Sequence, residues 1–361
     1  MKKVFIKGYF KNNLGDDLFF KILSSRYNNE FFAVCSPKYN YFNRYNNIIF
    51  NKSYIIYYFY RILERILKKK NYMEKSKLSD IDVIVNIGGS IFIENKSSGI
   101  CELKNQFDFY KNRPYFILGS NFGPYINEFY KEFIKNNLFA CAKDVCFRDF
   151  KSFNMFKDLP NVRVAPDIVF SLDTSSIKIT NSKKIIISVI DCSSRFSEDI
   201  VSKYEQTIID IIYYFDNLGY TIILMSFCKF EGDEVAIEKI INKIDKSKLK
   251  RDLEEYFYNG NINGALDIIG DSQIIFGSRF HANILGLLLG KTIFPIAYSD
   301  KTVNVLNDIG FEGKIIDIRN IDKFSVNDIS DEDLTYKCNV DVYKKDALNH
   351  FIELDKILRR R

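Results

Sequence analysis

The chain has 361 residues, more than the roughly 100–200 usual for one domain, so two domains of similar size are expected. Its 47% hydrophobic and 27% charged residues are proportions of a globular protein with a sizeable core. The net charge of +6 is spread over many lysines and acids, which favours small anionic substrates or an anionic membrane surface and argues against nucleic acid. Seven cysteines (Cys35, Cys101, Cys141, Cys146, Cys192, Cys228 and Cys338) lie scattered without a CxxC pair. They read as free thiols in a reducing compartment, and no cysteine metal site is expected.

The opening run, Met1 to Phe10, breaks its apolar stretch at Lys7 and Gly8, too soon for a signal peptide, and reads as a first strand. Short apolar runs then alternate with longer amphipathic stretches, the pattern of βαβ units around parallel sheets. In the first half, strands are predicted at Lys3 to Ile6, Phe31 to Val34, Val83 to Ile87, Tyr115 to Leu118, Val145 to Arg148 and Val162 to Val164, with helices starting at Asp16 and Asn127. The loop Lys7 to Leu18 joins the first strand to the first helix. In it Gly15 permits a tight turn, Asp16 is either a helix cap or a ligand of sugar hydroxyls, and Asp17 suits the first helical turn. Further glycine turns follow at Asn86 to Ser90, with Gly88 and Gly89, and at Leu118 to Pro124, with Asn121; three such turns at strand ends make a binding rim. Arg148 ends another strand, with Asp149 a candidate partner.

Between them, Tyr54 to Lys70 (YIIYYFYRILERILKKK) reads either as a basic amphipathic helix at a membrane interface or as a helix packed on the sheet with a solvated lysine end. The polar stretch Asp173 to Lys183 is the candidate linker. The second half offers strands at Ile185 to Ile190, Thr221 to Ser226, Ile274 to Phe276 and Thr292 to Ile296, and helices from Glu198, Asp233, Gly264, His281 and Thr302. Charges at Arg279, His281 and Lys291 rule out a membrane span over Ile274 to Tyr298. A tail helix, Tyr343 to Leu358, shows an apolar stripe of Leu348, Phe351, Ile352, Leu354 and Ile357, with His350 on its polar side. The domain bounds expected are 1–175, 184–330 and a tail, 331–361, that packs on the domain boundary or on the first domain.

The strongest signal is Gly277-Ser278-Arg279-Phe280-His281-Ala282-Asn283, directly after an apolar strand and opening an apolar helix. In a doubly wound sheet ligands bind at the carboxyl ends of strands, and the helix N-terminus there favours an anion. Arg279 adds a fork suited to carboxylate or phosphate, and His281 an imidazole suited to proton transfer near neutral pH.

Taken together, Asn13-Leu14-Gly15-Asp16-Asp17, Gly88-Gly89-Ser90, Gly119 to Pro124, Arg148-Asp149, Ala165-Pro166-Asp167, Ser278 to His281 and Tyr298 to Lys301 resemble the polysaccharide pyruvyltransferase family in order and spacing, up to about Phe311. Two departures are Ser90, where a third glycine is frequent, and Ser120, where glutamine is frequent. The resemblance implies two Rossmann-like doubly wound α/β domains facing across a cleft, as in GT-B glycosyltransferases. It implies a cytoplasmic enzyme that moves pyruvate from phosphoenolpyruvate onto a sugar as a ketal, with no metal or other cofactor. His281 would be the catalytic acid, and Arg279, Phe280 and Ser278 would bind phosphoenolpyruvate with Arg148 as a second cation. Asn13, Asp16, Asp17, Gly88, Gly89 and Asn121 would bind the acceptor, a surface-polysaccharide sugar on a lipid carrier at the inner face of the membrane. The rival reading is a nucleotide-sugar glycosyltransferase of the same architecture, with a diphosphate at the same helix start.

Overall fold

Central strands whose side chains are buried on both faces organise two parallel sheets, each flanked by amphipathic helices. The structure, a computed structural model, describes residues 2–33, 48–50, 81–94 and 112–359, so the stretch Tyr54 to Lys70 lies outside the described residues. By its internal contacts the chain forms two units. One comprises Met1–Lys11, Phe19–Ile168 and Asp346–Arg361, the other Asn12–Leu18 and Val169–Lys345.

In the first unit, β1 (Lys3–Lys7), β2 (Glu30–Ala33), β3 (Ile48–Phe50), β4 (Val83–Ile87), β5 (Tyr115–Ser120), β6 (Asp144–Phe147) and β7 (Val162–Val164) form a sheet of order β3-β2-β1-β4-β5-β6-β7. Every pairing is parallel. Helix α1 (Leu14–Arg26) follows β1, α2 (Glu128–Phe133) precedes β6 and α3 (Phe150–Phe156) follows it. Asn127 caps α2 and Asp149 caps α3, each accepting from a backbone N–H of the first turn. One face of this sheet is filled by phenylalanines packed edge to face, Phe122 on Phe156 at 4.8 Å and Phe139 on both Phe92 and Phe156 at 4.9 Å between ring centres.

The second unit holds β8 (Lys184–Ser188), β9 (Thr221–Ser226), β10 (Glu254–Phe257), β11 (Ile274–Gly277), β12 (Thr292–Ala297) and β13 (Ile316–Asp317), ordered β10-β9-β8-β11-β12-β13 and again parallel. Its helices are α4 (Glu198–Asn217), α5 (Asp233–Lys243), α6 (Ile262–Asp271), α7 (Phe280–Leu288) and α8 (Asp300–Asp308). Helix α4 buries Ile208, Ile211, Ile212 and Phe215, an i, i+3, i+4, i+7 stripe, against the sheet. Both orders reverse direction beside the unit's first strand, between β1 and β4 and between β8 and β11. Such switch points are where doubly wound sheets bind ligands.

Two expectations change. The stretch Asp173 to Lys183 belongs to the second unit: Ser182 and Thr180 donate to Asp271, and Lys291 donates to the carbonyls of Thr180 at 2.8 Å and Gly270 at 2.7 Å. The tail is also not one helix, because Ala347–Phe351 winds as a 3₁₀ segment before a terminal helix, Ile352–Leu358. The tighter turn shifts the buried face to Ala347, His350, Phe351 and Leu354 and leaves Leu348 and Ile352 exposed. Asp346–Arg361 is part of the first unit, where Asp355 accepts from Arg26 and from the Tyr27 hydroxyl at 2.6 Å.

Candidate functional site

In the second unit, Ser278 and Arg279 leave β11 at the switch point. The Ser278 N–H donates to the Ser188 carbonyl at 3.0 Å, and the Arg279 N–H to the Ser188 hydroxyl at 3.2 Å, tying the junction to the end of β8. The Ser278 hydroxyl is buried and bonds the Tyr204 hydroxyl at 2.9 Å. Asn283 folds back to donate to the Gly277 carbonyl at 2.8 Å, which fixes the entry into α7. Phe280 is buried, meets the His281 ring edge to face at 5.1 Å, and carries Lys301 Nζ 5.0 Å from its ring centre.

The loop Asn12–Leu18 lies against this junction as part of the same unit. Asn13 bridges to Cys228, Leu14 N–H donates to the Phe227 carbonyl at 3.0 Å, and the Tyr258 hydroxyl donates to the buried Asp17 carboxylate at 2.6 Å. Gly15 then rests on the catalytic candidate: a methyl group added there would stand 1.8 Å from His281 Nδ1. The reason for glycine is thus close approach to an imidazole and not a turn. The helix also starts earlier than expected, with Asn13 Oδ1 accepting from Gly15 N–H at 3.0 Å, so Asn13 and not Asp16 is the cap. Asp16 is half-buried in the first turn.

Arg279 is more enclosed than the sequence suggested. Its Nε donates to both Asp233 oxygens at 3.0 Å, its Nη2 donates to Asp233, and its Nη1 donates to Glu231. Asp233 is itself anchored by the N–H groups of Phe227 and Cys228, at 2.8 and 2.9 Å. Burial disfavours the guanidinium, but the two carboxylates outweigh it and keep Arg279 charged. Burial raises the Glu231 pKa, yet Arg279 overrides this and holds it below the ordinary value. Glu231 also accepts from Asn13 Nδ2 at 3.3 Å. Arg195, exposed and stacked 4.7 Å over the Tyr298 ring, adds positive charge near Glu231.

In the first unit, Arg148 follows β6. Its partner is Asp167, at 2.8 Å, and not Asp149, which caps α3; its Nη2 donates to Asn121 Oδ1 at 2.8 Å. Arg148 and Asp167 side chains are both 0% exposed. The Asn121 amide also donates to the Gly123 carbonyl at 3.3 Å. Gly89 is covered by this arginine: an added methyl would stand 2.3 Å from Arg148 Nη2. Gly89 and Asn121 therefore cluster around Arg148, with Gly88 next in the chain and Ser90 exposed at the edge.

Sequence reading missed Glu231, Tyr258 and Arg195, and took Asp233 only as a helix start. The available signal was Glu231-Gly232-Asp233 in the turn between β9 and α5, since a buried arginine requires carboxylates beside it. Among the described residues, no group of three His, Cys, Asp or Glu side chains could hold a metal ion.

Two parallel sheets that each switch direction, with polar side chains gathered at the carboxyl ends of their strands, define a two-unit, GT-B-like α/β protein. Solved structures agree at the level of the fold. A UDP-GlcNAc 2-epimerase from Neisseria meningitidis bound to UDP-GlcNAc superposes with a TM-score of 0.60 and 11% identity, covering 100% of both chains. The S. aureus MnaA–UDP structure gives 0.57 and 12% over 100% of this chain and 99% of its own. Anabaena HepE with UDP and glucose gives 0.54 and 12% over 98% and 96%. The sequence decides within that class: residues 13–300 match the polysaccharide pyruvyl transferase family, and the chain belongs to it. The amylovoran biosynthesis protein AmsJ of Erwinia amylovora is 20% identical over 273 residues, 68% of this chain and 63% of AmsJ, so the match spans less than two thirds of that relative.

Proposed function

We propose that this protein transfers the pyruvyl group of phosphoenolpyruvate onto two hydroxyls of a lipid-linked sugar as a ketal, releasing phosphate, in surface polysaccharide synthesis. The observation that carries the reading is the seating of Gly15 on the His281 imidazole, which brings the two strongest sequence motifs to one switch point. AmsJ is named for amylovoran biosynthesis, which supports a biosynthetic role.

In this reading the α7 N-terminus and Arg279 hold the donor anion. Asp233 keeps the Nε edge of the guanidinium, and the substrate carboxylate takes the Nη1 edge in place of Glu231. His281 gives a proton to the methylene carbon while a sugar hydroxyl attacks the neighbouring carbon; phosphate leaves, and a second hydroxyl closes the ketal. Asn13 and Asp16 meet the acceptor beside His281. Buried Ser278 and Asp17 shape the site from behind, through Tyr204 and Tyr258. Arg148, with Gly88, Gly89 and Asn121, sets the rim of the first unit. Among the described residues no helix is long and apolar enough to cross a membrane.

Thermal denaturation with candidate donors tests the reading. Phosphoenolpyruvate is expected to raise Tm and nucleotide sugars to leave it unchanged; the reverse pattern would favour the nucleotide-sugar glycosyltransferase.

A further inference from the structure

The chemistry above leaves one proton without an acceptor. His281 supplies the proton for the methylene carbon, yet the attacking hydroxyl must lose its own, and a carboxylate is the natural receiver at neutral pH. Two carboxylates meet Arg279 at the junction. Asp233 has a side chain 0% exposed and is fixed by two backbone N–H groups and Arg279. Glu231 is different: its side chain is 31% exposed, and it lies on a single 3₁₀ turn, Lys229–Glu231. One of its oxygens meets Arg279, assigned to the donor, and the other meets Asn13, assigned to the acceptor.

We propose that Glu231 is the base that takes the proton of the first attacking sugar hydroxyl, working from its place between Arg279 and Asn13. The role rests on the phosphoenolpyruvate reading. When the donor carboxylate claims Nη1 of Arg279, Glu231 is released toward the acceptor side while Asn13 still holds it. The hydroxyl oxygen bonds to the central carbon of phosphoenolpyruvate as its proton passes to Glu231, and the carbon–carbon double bond collects a proton from His281 to become a methyl group. The carbon–oxygen bond to phosphate then breaks with its electron pair leaving on phosphate, which receives the proton from Glu231. The second hydroxyl closes the ketal and returns its proton to His281, so both residues end as they began. Arg279, Asp233, Arg195 and the Cys228 thiol are the titratable groups around Glu231. Before the substrates bind, Arg279 holds the carboxylate in its ionised form, and its release from Arg279 restores its basicity.

The test uses the full chain, phosphoenolpyruvate, and octyl galactoside, glucoside and mannoside as acceptors, with kcat and KM followed as a function of pH. Glu231→Gln keeps one oxygen, to accept from Arg279 or from Asn13, but cannot take a proton. It is expected to lower kcat by about 10²- to 10⁴-fold and to abolish the acid limb of the profile, with the KM for phosphoenolpyruvate unchanged or lower. Glu231→Asp, which retains a base, should keep the acid limb at reduced kcat, and it serves as the second variant should Glu231→Gln fold poorly. If Glu231 only braces Arg279, Glu231→Gln will show the parent's kcat and acid limb with a raised KM, and the proposal falls while the donor reading stands. A parent protein that consumes no phosphoenolpyruvate overturns the donor reading and the Glu231 role with it.

Discussion

Both units bring an arginine to the carboxyl end of a strand, and they use it differently. In the first unit Arg148 is sealed, with no exposed side chain and a buried carboxylate, an amide and a glycine closed around it. In the second, Arg279 keeps a 10% exposed side chain, and one of its two carboxylates, Glu231, reaches solvent and the Asn13 amide. In the proposed reading the same residue at a similar place therefore serves architecture in one unit and chemistry in the other. The difference lies in whether a charged partner can leave.

Changes in the two units should separate by readout. Replacing His281 with Asn is expected to cost about 10²- to 10⁴-fold in kcat with little change in Tm; steady-state rates equal to the parent's would erase the distinction. Arg148→Met breaks a fully buried ion pair with Asp167, so about 3–5 kcal/mol of unfolding free energy should be lost, measured by urea denaturation. A stable Arg148→Met protein with impaired phosphoenolpyruvate binding would instead give Arg148 a direct role. The first unit also carries a pH signature. His350 donates to the Pro166 carbonyl at 2.8 Å, and burial pushes its pKa down to about 4. Because the folded value lies below the unfolded one, its contribution is complete above the unfolded pKa and is lost as pH falls toward about 4. The loss should reach about 3 kcal/mol, and His350→Asn should flatten that slope. Gly15→Ala, which pushes on the imidazole, should lower kcat by about 10²-fold while sparing stability more than Arg148→Met does, as comparison of rate and urea midpoint will show.

Much of this was legible in the sequence because the central strands are short buried apolar runs. Val83–Ile87, Thr221–Ser226 and Val162–Val164 stand where expected. The strands that escaped, β3, β10 and β13, lie at sheet edges. Glu254–Phe257 is largely exposed and polar, and Ile316–Asp317 is two residues long, so neither carries an apolar pattern. At the site, the order Arg279-Phe280-His281 after a strand was readable as a local pattern. The proximity of Gly15 to His281 was not, since it joins residues far apart in the chain, and neither was the choice of Asp167 over adjacent Asp149 as partner of Arg148. His350 sits on the polar side of an ideal tail helix, and only the 3₁₀ winding of Ala347–Phe351 turns it into the core.

Product analysis addresses the central claim most directly. With phosphoenolpyruvate and lipid-linked sugars, mass spectrometry should find a sugar carrying a pyruvate ketal, with phosphate released in equal amount by the parent protein and hardly any by His281→Asn. Ketal formation that survives loss of the His281 imidazole, or turnover of a nucleotide sugar with phosphoenolpyruvate ignored, would contradict the account.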